Sequence, residues 1–528
     1  MNITKLITLA ALSAMAIGCT SIKETYNPKR GEGYYILTPA IPDRASINSP
    51  ERFGVRPGAP FIYNVAVSGV VPIELSAENL PKGLKLDPES GIISGKITDL
   101  KQQRYNVTLK AKNRFGSDVQ NLEIVVGEKI QLTPPMGWSS WIATKKTVSA
   151  AAVMRNANQL VELGLKNLGY EYVNIDDYWQ GTERGGKYNA IQPNPKTFPN
   201  IEALSNQIHS MGLKFGIYST PWITSYARCI GGSSNRESGE WSEADIVSMK
   251  NMNVEGRASL VGKFRFDDND AKQWADWGVD YMKYDWNPND SASIVNMATA
   301  LRRSGRDIVF SISNSCPRSE WKRCRDYVQV FRTGGDIRAR WDGDGDHLNL
   351  RENWDNHIGW LEEAFRGNPG HTPDPDFLMV GLQKYGSKME LTADELYHHV
   401  SSFVLWGAPM LLSCDLEKLT PFELSLVTNL EMLAINQDKI SIPAKRVPLQ
   451  DGVDILVKPL SDGNRAFGVF NFNDKDVTVT VDLRAIGVRG ESILRDVWRQ
   501  TDIGLRVREF KCVVPAHGCV VVRSRASK

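Results

Sequence analysis

From residue 136 to about 440, short strand-like runs recur every few tens of residues with helical stretches between them, and this alternation constrains the fold more than anything else in the chain. Strands that alternate with helices pair in parallel, because a parallel neighbour is reached only through a crossover, and eight such units close into a (β/α)8 TIM barrel. The strand-like runs are 136–138, 172–175, 214–218, 279–284, 308–312, 327–331, 377–380 and 409–412. Helical periodicity covers 150–163, 201–211, 271–277, 292–303, 354–365 and 393–405. The barrel therefore spans 130–440, and 528 residues leave room for more, since one hydrophobic core stops growing at about 250–300 residues.

On the N-terminal side, residues 30–127 consist of β-rich runs such as 61–67, separated by Pro, Gly and Asn turns, which predicts a small β-sandwich. Beyond residue 441, alternating runs such as 477–481 and 518–522 predict an antiparallel β-sandwich to the end of the chain at 528. Residues 1–19 read differently. A short basic start is followed by an apolar run, 6–17, too short to span a bilayer, and small residues precede Cys19, as in a bacterial lipobox. We expect an exported bacterial lipoprotein, periplasmic or outer-membrane, that meets the membrane only through a lipid on Cys19.

A formal net charge of +2 offers no field for nucleic acid. Six cysteines beyond Cys19 are too few for a disulfide scaffold, although Cys316/Cys324 and Cys512/Cys519 are spaced for local bridges. The seven histidines show no metal-ligand spacing, a Gly-x-Ser-x-Gly elbow is missing, and phosphate-binding glycine loops are missing too, so no metal or cofactor is called for.

Barrel enzymes place their chemistry just after the strands, at the C-terminal mouth. Here those positions hold Asp176 and Asp177, Asp285, Asp336 and Asp415, with Asp374 and Asp376 at the start of the seventh run. Trp138, Trp179, Trp222 and Trp286 accompany them, as a sugar site needs: aromatic faces pack on C–H surfaces while carboxylates bind hydroxyls. Glycoside hydrolysis requires two carboxyl groups flanking the bond. In Tyr281-Met282-Lys283-Tyr284-Asp285 the strand period puts Lys283 and Asp285 on one face, so Lys283 can lower the pKa of Asp285 and favour an ionised nucleophile. In Arg332-Thr333-Gly334-Gly335-Asp336 the glycines admit substrate closely, leaving Asp336 to serve as general acid and base with Arg332 beside it.

Six blocks, in order, resemble glycoside hydrolase family 27, the α-galactosidases or melibiases: 135–141, 174–179, 212–218, 277–285, 332–337 and 373–378. The stretch 80–95 with 105–109 resembles immunoglobulin-like modules of bacterial polysaccharide-degrading enzymes. The first resemblance implies a retaining exo-glycosidase acting on a galactose-containing glycan. It also implies Asp285 as nucleophile, Asp336 as acid/base, Asp176 and Asp177 on the sugar's O4 and O6, and Trp138, Lys283, Arg332 and Asp376 lining the subsite.

Three departures from the family pattern bear on specificity. Trp286-Asn287-Pro288 follows the nucleophile where many members have Cys, leaving Cys229 without that partner. Ser313 stands where a Glu usually reads the sugar's 2-position, leaving room for an N-acetyl group. Residues 229–266 form a long loop expected over the site. The rival readings are an α-N-acetylgalactosaminidase, a β-L-arabinopyranosidase and a non-catalytic glycan-binding lipoprotein; the Asp176/Asp177 pair favours a sugar with a 6-hydroxyl.

Overall fold

The computed structural model describes residues 24–101, 103–245, 260–314, 317–319, 321, 325–345, 347–363, 369–382 and 391–527. The signal segment and the Cys316/Cys324 pair lie outside the described residues, as does the middle of the long loop.

Eight parallel strands make the central sheet: β1 (Met136–Ser139), β2 (Tyr172–Asn174), β3 (Lys214–Ser219), β4 (Tyr281–Asp285), β5 (Val309–Ser313), β6 (Val330–Arg332), β7 (Thr372–Asp374) and β8 (Met410–Leu412). They pair in chain order, and β8 returns to lie beside β1. The remaining seam, between the segment after β7 and β8, is held by the Leu378 N–H donating to the Leu411 carbonyl at 2.9 Å. Helices follow the strands with side-chain caps where the chain supplies them: Ser149, Asn200 and Asp290 each accept an N–H of the first turn, and Thr392 and Glu395 form a reciprocal capping box.

One strand differs from expectation. The apolar run 377–380 is not β7; the strand is Thr372–Asp374, in register with Val330–Arg332. The run is apolar because it is buried in the barrel wall beside β8, which the pattern alone does not distinguish from a strand. As a result Asp374 ends the strand and Asp376 follows it, so both stand at the mouth.

The barrel interior changes character along its axis. At the N-terminal end Tyr172, Tyr281, Val309 and Val330, with Ile130, form a separate apolar plug. Two residues further along each strand the inward positions become polar: Asn174, Lys283, Ser311 and Arg332. Asp176 and Asp285 come next, so the site has a filled floor.

The N-terminal module is a sandwich of a four-stranded and a three-stranded sheet around Phe61, Tyr63, Val107, Leu109, Leu122 and Ile124. It docks under the barrel plug, at the end opposite the mouth. Lys214 at the start of β3 lies over the Phe53 ring, the Arg56 N–H donates to Asp307 just before β5, and Asn64 donates to the Lys166 carbonyl. The C-terminal domain has six-stranded and two-stranded antiparallel sheets, and one face of the larger packs on the helix Ala393–Trp406. Cys512 and Cys519, spaced so that a local bridge was open to them, are both free. The turn between them delivers the two residues to different sheets: Cys512 enters the domain core, while Cys519 turns to the Ser401 hydroxyl.

Candidate active site

A cavity of about 640 Å³ opens at the C-terminal ends of the strands, lined by Asp176, Asp177, Tyr218, Lys283, Asp285 and Asp336 among others. Both predicted catalytic carboxyls thus face one space. Asp285, the last residue of β4, accepts from the Tyr218 hydroxyl at 3.1 Å and from the Asn314 side-chain amide. Asp336 lies in the loop after β6, where its side chain is 42% exposed and accepts from Arg332 Nη2 at 3.2 Å. The exposed carboxyl is the one placed to meet a leaving group; the buried one is held rigidly from below.

The subsite floor is a charge network. Lys283 Nζ donates to Asp176 Oδ2 at 2.9 Å, and Arg332 pairs with Asp376 at 2.9 Å as well as with Asp336. Asp177 accepts from the Tyr178 N–H, the Ser225 hydroxyl and the Ala227 N–H, each at 2.8 Å, so the segment that leads into the long loop is fastened to it. Asp376 accepts from the Ile337 N–H at 2.9 Å, next to the acid/base residue. Tyr178, Asn314 and Asp376 all carry left-handed backbone, with φ of 84°, 64° and 104°. Such strain persists only where surrounding contacts enforce it, and three of the ten described non-glycine residues with positive φ stand at the ends of β2, β5 and β7.

Several expectations are corrected. Trp138, Trp179, Trp222 and Trp286 are fully buried rather than offering faces to a sugar. The indole N–H groups of Trp138 and Trp179 donate to the Cys414 and Tyr218 carbonyls, and that of Trp286 to Asp290. The aromatic wall is instead Trp141, Tyr218 and Tyr226. Asp415 pairs with Lys418 across a short 3-10 turn and does not line the cavity. Ser313 is buried in the barrel interior, within 3.5 Å of Arg332 Nη1, and Asn314 forms the cavity wall at that corner.

Lys283 does not bring Asp285 below the usual carboxylate range. Burial pushes Asp285 up to about 7, with Asp336 and Asp176 adding to the rise while Lys283 and Arg332 oppose it. For Asp336 burial also acts upward, but Arg332 and Lys283 outweigh it and hold the group low. A carboxyl raised in the fold contributes stability that is complete below its unfolded pKa and lost as pH rises through about 7. Asp285→Asn removes that loss, so at pH 8 the variant is expected to be the more stable by about 2–4 kcal/mol in denaturant unfolding. Parallel pH–stability curves for the two proteins would contradict this.

Tyr218, Asn314 and Trp141 belong to the site and were not singled out in the sequence. Tyr218 had a readable signal: it lies two residues beyond Gly216 on the inward face of β3.

A TIM barrel that gathers two carboxyls of unequal exposure above a floor of hydroxyl-binding groups defines a glycoside hydrolase. Comparison with known proteins specifies it further. The family described as "Alpha galactosidase A" matches residues 133–236 and 246–438. "Alpha galactosidase C-terminal beta sandwich domain" matches 450–524, and "Putative Ig domain" matches 44–127. An alpha-galactosidase of Oryza sativa is 30% identical over 395 residues, covering 73% of this chain and 83% of that one. One of Cyamopsis tetragonoloba is 29% identical over 421 residues, covering 78% and 91%. The crystal structure of a "putative alpha-galactosidase" from Bacteroides fragilis superposes with a TM-score of 0.81 at 30% identity, covering 93% of this chain and all of that one. The chain belongs to the alpha galactosidase A family, whose hydrolases act with retention.

Proposed function

We propose that this protein removes terminal α-D-galactosyl residues from oligo- or polysaccharides by double displacement, with Asp285 as nucleophile and Asp336 as acid/base. The observation that carries the reading is the pair Asp176 and Asp177, fixed beside Lys283 at the bottom of the cavity that also holds Asp285. A carboxylate oxygen that already accepts one N–H keeps a lone pair for a sugar hydroxyl, so both aspartates can still accept. The filled floor supports exo action, because a chain end can enter the cavity and a chain middle cannot pass through it. The buried Ser313 supports galactose over N-acetylgalactosamine, since the space expected at that position is occupied by the barrel's own packing.

In the first step Asp336 protonates the glycosidic oxygen while an Asp285 oxygen bonds to the anomeric carbon and the aglycone leaves. In the second, water attacks that carbon, giving its proton to Asp336 and releasing Asp285. Burial pushes the Asp285 carboxyl up and Arg332 holds the Asp336 carboxyl low, the reverse of what the first step requires. Positive charge developing at the anomeric carbon favours ionised Asp285, and a leaving-group oxygen at Asp336 favours the proton there, so substrate itself drives the exchange.

The test is hydrolysis of p-nitrophenyl α-D-galactopyranoside, α-N-acetylgalactosaminide and β-L-arabinopyranoside side by side, with protein lacking residues 1–19. Preference for the galactoside is expected; preference for another sugar moves the substrate, and turnover of none defeats the reading. We also propose export and lipidation at Cys19, supported by the basic start, the apolar run 6–17 and the small residues before that cysteine. Mass spectrometry of the membrane-extracted protein tests it: an unmodified N-terminus counts against the anchor.

A further inference from the structure

Asp336 sits at the neck of a long loop, residues 333–349, between β6 and the helix Leu350–Glu363. The neck is closed by the Leu348 N–H donating to the Asp336 carbonyl and the Arg338 N–H donating to the Leu348 carbonyl, both at 2.9 Å. Next to it His347 lines the cavity, its Nε2 4.0 Å from Asp336 Oδ2. Further along, Trp341 leaves the barrel and is buried against the C-terminal domain. Its ring stacks on His517 at 4.5 Å and 18°, lies 6.1 Å from Phe472, and meets the edge of His398 at 5.0 Å. The indole N–H has no hydrogen-bond partner among the described residues, so stacking is what fixes the ring.

His517 is itself immobilised. Nδ1 lies 2.7 Å from Glu395 of the barrel helix and Nε2 2.8 Å from Asp474 of the C-terminal domain, while its carbonyl is 3.1 Å from His398 Nδ1. Glu395, buried, anchors one edge of the imidazole, exposed Asp474 meets the other from solvent, and Trp341 covers one face of the ring. An aromatic stack of this geometry adds to area burial and favours one position of the loop. Rate is sensitive to that position, because a displacement of about 1 Å in a reacting group costs roughly 100-fold.

We infer that the C-terminal β-domain positions the general acid: His517, held between Glu395 and Asp474, stacks on Trp341 and so fixes the loop that presents Asp336. Trp341 and His517 are positioning residues, and the inference rests on Asp336 being the acid of a galactosidase. Loosening the stack should therefore damage proton delivery and little else.

The experiment compares full-length wild type, Trp341→Ala, Trp341→Phe and His517→Ala on an α-galactosyl disaccharide and on dinitrophenyl α-galactoside, whose leaving group needs little protonation. Trp341→Ala and His517→Ala are expected to lose roughly 10- to 100-fold in kcat/KM on the disaccharide, a fraction of a full general-acid contribution, and about twofold in kcat/KM on the dinitrophenyl substrate, whose bond cleavage needs little acid help. Trp341→Phe keeps a stacking ring and should recover most of the difference. Equal losses in kcat/KM on both substrates, or none on either, overturn the inference. Should Trp341→Ala not fold by circular dichroism, His517→Ala decides alone, since it lies on a surface turn. Wild type inactive on both substrates defeats the galactosidase reading and this inference with it; active wild type with variants insensitive to the leaving group defeats only the inference.

Discussion

Asp285→Asn is expected to fold normally and to lose about 10⁴-fold or more in turnover, the scale of removing a covalent nucleophile. The amide is nearly isosteric with the carboxylate, so the Tyr218 hydroxyl keeps an acceptor, and only the Asn314 amide must readjust against an NH2 group. What disappears is the charge and lone pair that bond to the anomeric carbon. In Asp285→Gly, which removes the side chain, azide can occupy the space and attack from the same face, and its product is then a galactosyl azide of inverted, β configuration. A folded variant with near-normal activity would remove Asp285 from the nucleophile role. Rescue without inversion would show azide attacking elsewhere.

Asp336→Asn should separate substrates by leaving group. Unactivated galactosides are expected to lose about 10²–10⁴-fold, the usual worth of a general acid, whereas dinitrophenyl galactoside should still form the glycosyl-enzyme readily. That intermediate then accumulates, because water needs the same residue as base. Azide needs no base, so here it should restore turnover and give the retained, α azide, the opposite configuration from the Asp285 variant. Uniform losses across leaving groups would count against the acid role.

Much of this was legible in the chain because barrels obey a simple geometry. A strand's period of two aims Tyr281, Lys283 and Asp285 inward at successive heights, and the structure shows a plug residue, a charge-network residue and a cavity residue in that order. The aromatic wall was not legible, because a tryptophan after a strand reads the same whether it faces a ligand or the packing between strand and helix. The position of β7 was missed for a related reason: Thr372-Pro373-Asp374 has little strand character of its own and is a strand by virtue of pairing with β6. The state of Asp285 was misread because the neighbouring cation is visible in sequence and the depth of burial is not. The stack of Trp341 on His517 joins residues 176 positions apart and left no local trace.

The immunoglobulin-like sandwich, fixed beneath the barrel plug, settles a matter of avidity. A binding module helps a hydrolase when a short tether lets both engage one polymer, so that capture by the first raises the effective concentration at the second. Here there is no tether to swing. The sandwich docks at the end of the barrel opposite Asp285, so a glycan held there would have to span the barrel to be cut. So placed, the sandwich can raise the effective concentration at Asp285 only of a polymer long enough to reach from one end of the barrel to the other.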